Sequence, residues 1–269
     1  ETGLTPWRVV NMQLGKTIGG YSFFDDNYQS TTIEGKNAAH WIDTEYTDKS
    51  FNEDSHILEI NSKTGLYPLY AAASLYYKEF NKMNENKAGK FTIDDELFLW
   101  QKVLRENIFV IAKTPMAKHI TERTLAGYQG FDTNIEYIEN IVDNVKKNIL
   151  AESKEVLGRF DNMKFDVILG NPPYTEKDGG AGSSGSPIYQ NFVSLAKKLE
   201  PEVITLITPS RWFVGGKGLD KFRDDMLNDS NIKEIHDWLT PQDVFPRTNI
   251  RGGYLSFCGS MDIITPMMA

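Results

Sequence analysis

Cysteine is nearly absent from this chain of 269 residues, Cys258 being the only one. One thiol cannot form an internal disulfide, so the fold has to close on its apolar core, and this usage fits a reducing cytoplasm. Histidine is scarce too: His40, His56, His119 and His236 show none of the short spacings of a zinc site, and no metal is expected. No apolar run approaches the ~20 residues that cross a bilayer, and no basic-then-apolar segment precedes Trp7, so a soluble chain without a membrane partner is expected. Cations are outnumbered, 29 Lys and Arg against 37 Asp and Glu, for a net charge of −8. That balance excludes a uniformly basic nucleic-acid binder, because phosphate neutralisation needs clustered Lys and Arg; any such contact must be local.

What is present suits one large α/β domain, with 40% hydrophobic residues to fill its core. Strands are read at Ile57–Asn61, Asn107–Ala112, Asn134–Asn140, Phe165–Leu169, Val203–Ile207, Ile232–Trp238 and Tyr254–Phe257. Between them, Thr5 reads as an N-cap with Pro6 at the first helical position of an amphipathic helix. Further helices follow Pro68, span Asp94–Arg105 with Leu97, Phe98, Trp100, Gln101 and Leu104 as a packing stripe, run from Pro115 to Leu125, and cover Pro187–Leu199. Ile141–Ile149 reads as helix or loop, Gln29–Asp54 as a polar surface connection, and Lys82–Lys90 as a loop between helices.

The chain is organised around the stretch Phe165-Asp166-Val167-Ile168-Leu169-Gly170-Asn171-Pro172-Pro173-Tyr174. A buried parallel strand runs into Gly170 and then a rigid turn, since both prolines fix φ near −65° and neither nitrogen carries a hydrogen. Carbonyl oxygens there lack local donors, Asn171 adds a side-chain oxygen, and Tyr174 adds a flat ring. A planar ligand bearing an amino group, such as a nucleobase, fits that set.

This string resembles the Asn-Pro-Pro-Tyr motif of N6-adenine DNA methyltransferases. The order of the cofactor half before the motif is similar to the γ arrangement, as in methylase domains of bacterial type II restriction–modification enzymes, and the likeness covers roughly Thr5 to Gly253. The resemblance implies an α/β, Rossmann-like fold with a mainly parallel sheet flanked by helices. It also implies methyl transfer from S-adenosylmethionine to an adenine flipped out of double-stranded DNA. Asn171, Pro172, Pro173 and Tyr174 are then catalytic: Asn171 Oδ1 and the Pro172 carbonyl accept the amino hydrogens, and Tyr174 stacks on the base. Thr5, Pro6, Glu59, Asn61, Gly65, Glu139, Asn140 and Asn171 fall on positions that border the cofactor. For Glu139 and Asn140 the residues alone equally admit a solvated acidic turn. Two departures stand out: Lys63 occupies the place of a common first glycine, and Ala112-Lys113-Thr114 offers no acid for the ribose hydroxyls. They leave open a silent fragment that keeps the fold.

Beyond Tyr174 the Gly/Ser-rich stretch Thr175–Ser186 reads as a lid over the base or as plain disorder. The G-x-G-x-x-G spelled by Gly180, Gly182 and Gly185 lies too far past its strand to carry meaning. Arg211, Lys217, Lys221 and Arg223 gather beside glycines and are read as phosphate contacts, a solvated basic loop being the alternative. The expected division is a catalytic domain over 1–253, with a cofactor half over about 1–150 and a catalytic half over about 151–253, and a truncated or irregular tail over 254–269. The chain opens on Glu1 and reads as a piece of a longer protein whose target-recognition domain, and possible nuclease partner, are not in it.

Overall fold

Ile57–Ser62, Ile108–Ala112, Val167–Gly170 and Val203–Pro209 are buried at every position. Such runs cannot leave one face in water, so they take the middle of a sheet covered on both sides. The computed structural model describes residues 4–25, 39–86, 91–150, 155–176, 185–216, 218–238, 240–245 and 254–260. Its first half runs α1 (Trp7–Thr17), β1 (Gly20–Ser22), β2 (His40–Ile42), α2 (Thr47–Ser50), β3 (Ile57–Ser62), α3 (Leu66–Asn86), α4 (Ile93–Glu106), β4 (Ile108–Ala112), α5 (Pro115–Ala126), β5 (Asn134–Tyr137) and α6 (Ile141–Leu150). The second half continues with β6 (Val167–Gly170), α7 (Tyr189–Lys198), β7 (Val203–Pro209), α8 (Asp220–Leu227), β8 (Ile232–Trp238), α9 (Pro241–Val244) and β9 (Tyr254–Ser260).

The main sheet has seven strands in the order β5-β4-β3-β6-β7-β9-β8, while β1 and β2 pair separately. The first five are mutually parallel, and β9 enters antiparallel between β7 and β8. From β3 the chain steps outward to β4 and β5, then returns to β6 on the other side of β3. At such a switch point the turns after adjacent strands diverge and leave a crevice outside their carboxyl ends. Glu59 lies opposite Leu169 across β3 and β6, so both turns open at one edge. Because crossovers are right-handed, the helices of the two halves fall on opposite faces. Helices α1, α3, α4 and α5 pack among themselves, while α6 packs on α7, which lies on β7. One apolar cluster spans both halves, from Val9 to Phe245.

Several expectations need correction. Pro6 is the N-cap of α1 and not its first residue, and no side chain caps the helix, which leaves Thr5 for another role. Nor is α1 amphipathic: Val9 to Gly15 are all buried, because it is wedged among α3, β1, β7 and β9. Its polar residues are satisfied inside, with Asn11 Nδ2 donating to the Trp7 carbonyl at 2.8 Å and Oδ1 accepting from the Phe23 amide at 2.9 Å. Helix α3 continues to Asn86, into the stretch read as a loop. The supposed surface connection holds β2 and α2, and Phe51 is fully buried. In α4 the buried face is Leu99, Val103 and Leu104, whereas Leu97 and Phe98 are 39% and 64% exposed, so the true stripe is rotated from the expected one. The irregular tail is the largest miss: Cys258, Gly259 and Ser260 continue β9, paired with Thr205, Ile204 and Val203. Their small polar character hides a strand that is held from both sides. Residues 261–269 lie outside the described residues.

Candidate active site

Strand β6 ends at Gly170, whose φ of 138° is a conformation side chains rarely adopt; a Cβ there would sit 3.2 Å from Glu59 Cγ. The close approach brings the Asn-Pro-Pro-Tyr turn against the end of β3. Asn171 is buried, and its Nδ2 donates to Thr5 Oγ1 at 2.9 Å. Tyr67, which lines the same wall as Thr5, donates its hydroxyl to Gln13 Oε1 at 2.5 Å, and Gln13 Nε2 donates to Thr205 Oγ1 at 3.3 Å. With the amide nitrogen of Asn171 facing Thr5, its Oδ1 is left over. Oδ1 is buried with no hydrogen-bond partner among the described residues. An unfilled acceptor of that kind costs roughly 1–3 kcal/mol, a strain that a ligand donor relieves.

Two hollows that share Asn61 in their walls follow the same edge. The larger, about 530 Å³, is lined by Asn61, Lys113, Tyr137, Asn140, Ile141 and Pro173 among others. The smaller, about 10 Å³ and no roomier than one water, is bounded by Thr5, Glu59, Asn61, Lys63, Tyr67 and Asn171. Asn61 borders both, in a left-handed conformation (φ 71°), and its Nδ2 is buried without a partner among the described residues. Glu59 is 5% exposed and its Oε2 likewise lacks a partner. Burial pushes its carboxyl up to about 7, against the opposing pull of the Ser62 hydroxyl and Lys63. Burial and then the neighbouring Lys113 push the half-buried Lys63 ammonium down to about 8, with Glu59 pulling the other way. The smaller hollow is therefore a desolvated acid and base side by side.

Not every expected residue meets the hollows. Pro6 caps α1, and Pro172 is part of the turn without lining either hollow, while Pro173 does. Asn140 lines the larger one with a φ of 56°, whereas Glu139 lines neither; both are exposed, and the Glu139 carbonyl accepts from Asn144 Nδ2 at 3.3 Å. Tyr174 is 3% exposed, its ring packed edge-on to Tyr189 at 6.5 Å, so no open face is presented for stacking in this conformation. The lid stretch 177–184 and Lys217 lie outside the described residues. Arg211 and Lys221 are exposed, but Arg223 Nε donates to the Phe213 carbonyl at 2.8 Å and the Gly216 amide donates to Asp220 Oδ1 at 2.8 Å. An amide expected to meet phosphate is thus already taken by a carboxylate.

Gly65 closes the β3–α3 turn at φ 76°, and a Cβ there would lie 2.9 Å from Thr121 Cγ2 and 3.2 Å from Thr121 Cα. It is a packing glycine as much as a turn glycine. Gly65→Ala is expected to cost about 1–3 kcal/mol of stability, measured by denaturant unfolding. A neutral result would show that the turn relaxes freely.

Gln13, Tyr67, Lys113, Tyr137 and Ile138 were missed by sequence reasoning. The only signal was positional for Lys113, which follows β4 where an acid is usual; Gln13 and Tyr67 sit in helices that read as ordinary packing. Known proteins bear on the same edge. Over 102 residues the chain is 39% identical to an uncharacterized adenine-specific methylase of Mycoplasma pneumoniae (strain ATCC 29342 / M129 / Subtype 1), a match covering 36% of this chain and 24% of that protein. The fold is shared with the ATP-dependent Type ISP restriction-modification enzyme LlaBIII bound to DNA, at a TM-score of 0.55 and 15% identity over 97% of this chain and 19% of that one. It is also shared with the DrdV–DNA complex, at a TM-score of 0.52 and 15% identity over 95% and 26%. The chain spans only about a fifth to a quarter of these relatives. Residues 106–245, just over half of it, match the sequence profile of a family described as Eco57I restriction-modification methylase. That match reaches from the last residue of α4 through the Asn-Pro-Pro-Tyr turn to Phe245, and the chain accordingly belongs to the Eco57I restriction-modification methylase family.

Proposed function

We propose that the chain is the catalytic domain of an adenine-specific DNA methyltransferase of a restriction–modification system, acting in the cytoplasm with S-adenosylmethionine as methyl donor. The observation that carries this reading is the unpaired Asn171 Oδ1 beside the hollows at the switch point. The adenine amino lone pair is delocalised into its ring and is a poor nucleophile while the group stays planar. Asn171 Oδ1 and the Pro172 carbonyl, accepting its two hydrogens, favour the tetrahedral nitrogen and stabilise the positive charge that grows on it. No covalent enzyme intermediate is needed. Tyr174 stacks on the extruded base once its ring turns out from Tyr189, worth on the order of 1–3 kcal/mol.

The residues present fit the cofactor. The larger hollow lies in the ~300–1,000 Å³ range of small-molecule sites, and Tyr137, Ile138 and Ile141 give it apolar walls for a purine. The orphaned Glu59 Oε2 and Asn61 Nδ2 supply an acceptor and a donor toward the amino-acid end. Bound there, S-adenosylmethionine supplies a methyl group on a sulfonium, next to the Asn171 position. One-site binding in calorimetry is the expected result, and its absence would remove the cofactor half of the reading.

Relatives described as bound to DNA support double-stranded DNA as the substrate, and their greater length supports a recognition domain and a nuclease supplied by further parts of the assembly. The net charge of −8 leaves Arg211, Lys221, Lys217 and the partly engaged Arg223 to meet phosphates locally. Affinity of this chain for duplex DNA should therefore be weak, with a log–log salt slope no steeper than about −4, at ~0.9 per neutralised phosphate. Fluorescence anisotropy across salt concentrations measures it. A much steeper slope, or one unchanged by joint Arg211→Gln and Lys221→Gln substitution, would place the DNA surface elsewhere.

A further inference from the structure

Resting on the cofactor reading above, we infer that Lys63 is the counter-ion of the cofactor's α-carboxylate, so that Glu59 and Lys63 together bind the amino-acid end as a zwitterion. Both side chains line the smaller hollow with Thr5, Asn61 and Asn171, next to the position of the reacting nitrogen. In the turn the Gly65 amide is already donated to Ser62 Oγ at 3.2 Å, and Pro68, in the first turn of α3, has no N–H. An anionic group entering here meets Lys63, a cation on that wall, beside whatever amides the start of α3 offers.

The charges facing Lys63 make the same point. Glu59 on β3 attracts it, Lys113 after β4 repels it, and Tyr67 on α3 sits beside Glu59 with its hydroxyl engaged by Gln13. A desolvated ammonium next to a like charge gains from a second carboxylate, and a desolvated carboxylate gains from an incoming ammonium. The ligand's two charges match this pair in sign. Lys63 in the place of a glycine on this account adds a side-chain cation to the recognition at this turn.

Calorimetry on the whole chain tests it with four probes: S-adenosylmethionine, S-adenosylhomocysteine, decarboxylated S-adenosylmethionine and 5′-methylthioadenosine. Lys63→Met keeps the stem without the charge, and Lys63→Arg restores a cation. Lys63→Met should weaken the two carboxylate-bearing ligands on the order of 10–100-fold while leaving the other two nearly unchanged, with most of the loss recovered in Lys63→Arg. For the wild type, affinity for S-adenosylhomocysteine should fall as pH rises through about 8, where the ammonium is lost, and below about 7, where Glu59 is protonated. Lys63→Met should abolish only the alkaline fall that exceeds the ligand's own titration. Equal losses for all four probes, or tighter binding of all four because Lys63 merely plugs the hollow, would overturn the inference. If the wild type binds none of them, the cofactor reading fails and the inference with it. If it binds 5′-methylthioadenosine and S-adenosylmethionine equally well, the adenosine site stands and the role of Lys63 falls alone.

Discussion

Asn171→Ala should reduce methyl transfer to adenine by roughly 10²–10³-fold, by analogy with the loss of one preorganised oxyanion-hole donor. The substitution removes the acceptor that draws a hydrogen out of the amino plane as charge develops, and a group working only in the transition state lowers kcat more than it raises KM. Folding should survive it. Asn171 makes one side-chain hydrogen bond, to Thr5, and its other polar atom is unpaired, so the change in stability is expected within about 1 kcal/mol. Tyr67→Phe, which removes the hydrogen bond to Gln13 without touching the base, should lower kcat less and leave the larger hollow intact. Single-turnover kinetics separates these effects, and unchanged turnover in Asn171→Ala would remove that residue from the mechanism.

Glu59→Gln should change stability and its pH dependence in a direction that is unusual for losing a buried charge. The folded carboxyl titrates at about 7 and the ordinary value is 4.5, so between those limits the folded chain binds more protons than the unfolded one. Stability contributed by neutral Glu59 is complete below about 4.5, falls as pH rises toward 7 and is flat above. At 1.36 kcal/mol per pH unit the gap amounts to roughly 3 kcal/mol. Glutamine does not titrate, so the variant should escape that fall and be the more stable protein at pH 8 in the absence of ligand, while binding S-adenosylmethionine more weakly. Urea midpoints at pH 5 and pH 8 decide it. Parallel curves for the two proteins would mean that Glu59 is ionised without cost, and the account of a site held open for an ammonium would fail.

The parts of this site that could be read from sequence are those in which local chemistry dictates structure. A run such as Phe165 to Leu169 followed by two prolines can only be a buried strand reaching a rigid turn, and the structure brings Glu59, within β3, together with Asn171, just past the end of β6. What stayed hidden was long-range. Thr5 looked like a cap because the Thr-Pro pair is a good local cap; its partner, Asn171, lies 166 residues away and leaves no trace near Thr5. Gln13 went unnoticed in a helix read as amphipathic because nothing local announces its partners Tyr67 and Thr205. Strand β9 was cut short at Phe257 because Cys-Gly-Ser has little strand character of its own, and the pairing on both sides that fixes it is tertiary. The phosphate reading of the glycine-rich loop suffered similarly, since Asp220 reaches back to the Gly216 amide.

The most direct test of the central claim is nucleoside mass spectrometry on duplex DNA incubated with the protein and S-adenosylmethionine carrying a labelled methyl group. The label should appear on N6 of deoxyadenosine, and Asn171→Ala should nearly abolish it while still binding the cofactor. Label on cytosine, on RNA or on protein glutamine in place of adenine, or full labelling by Asn171→Ala, would contradict the account.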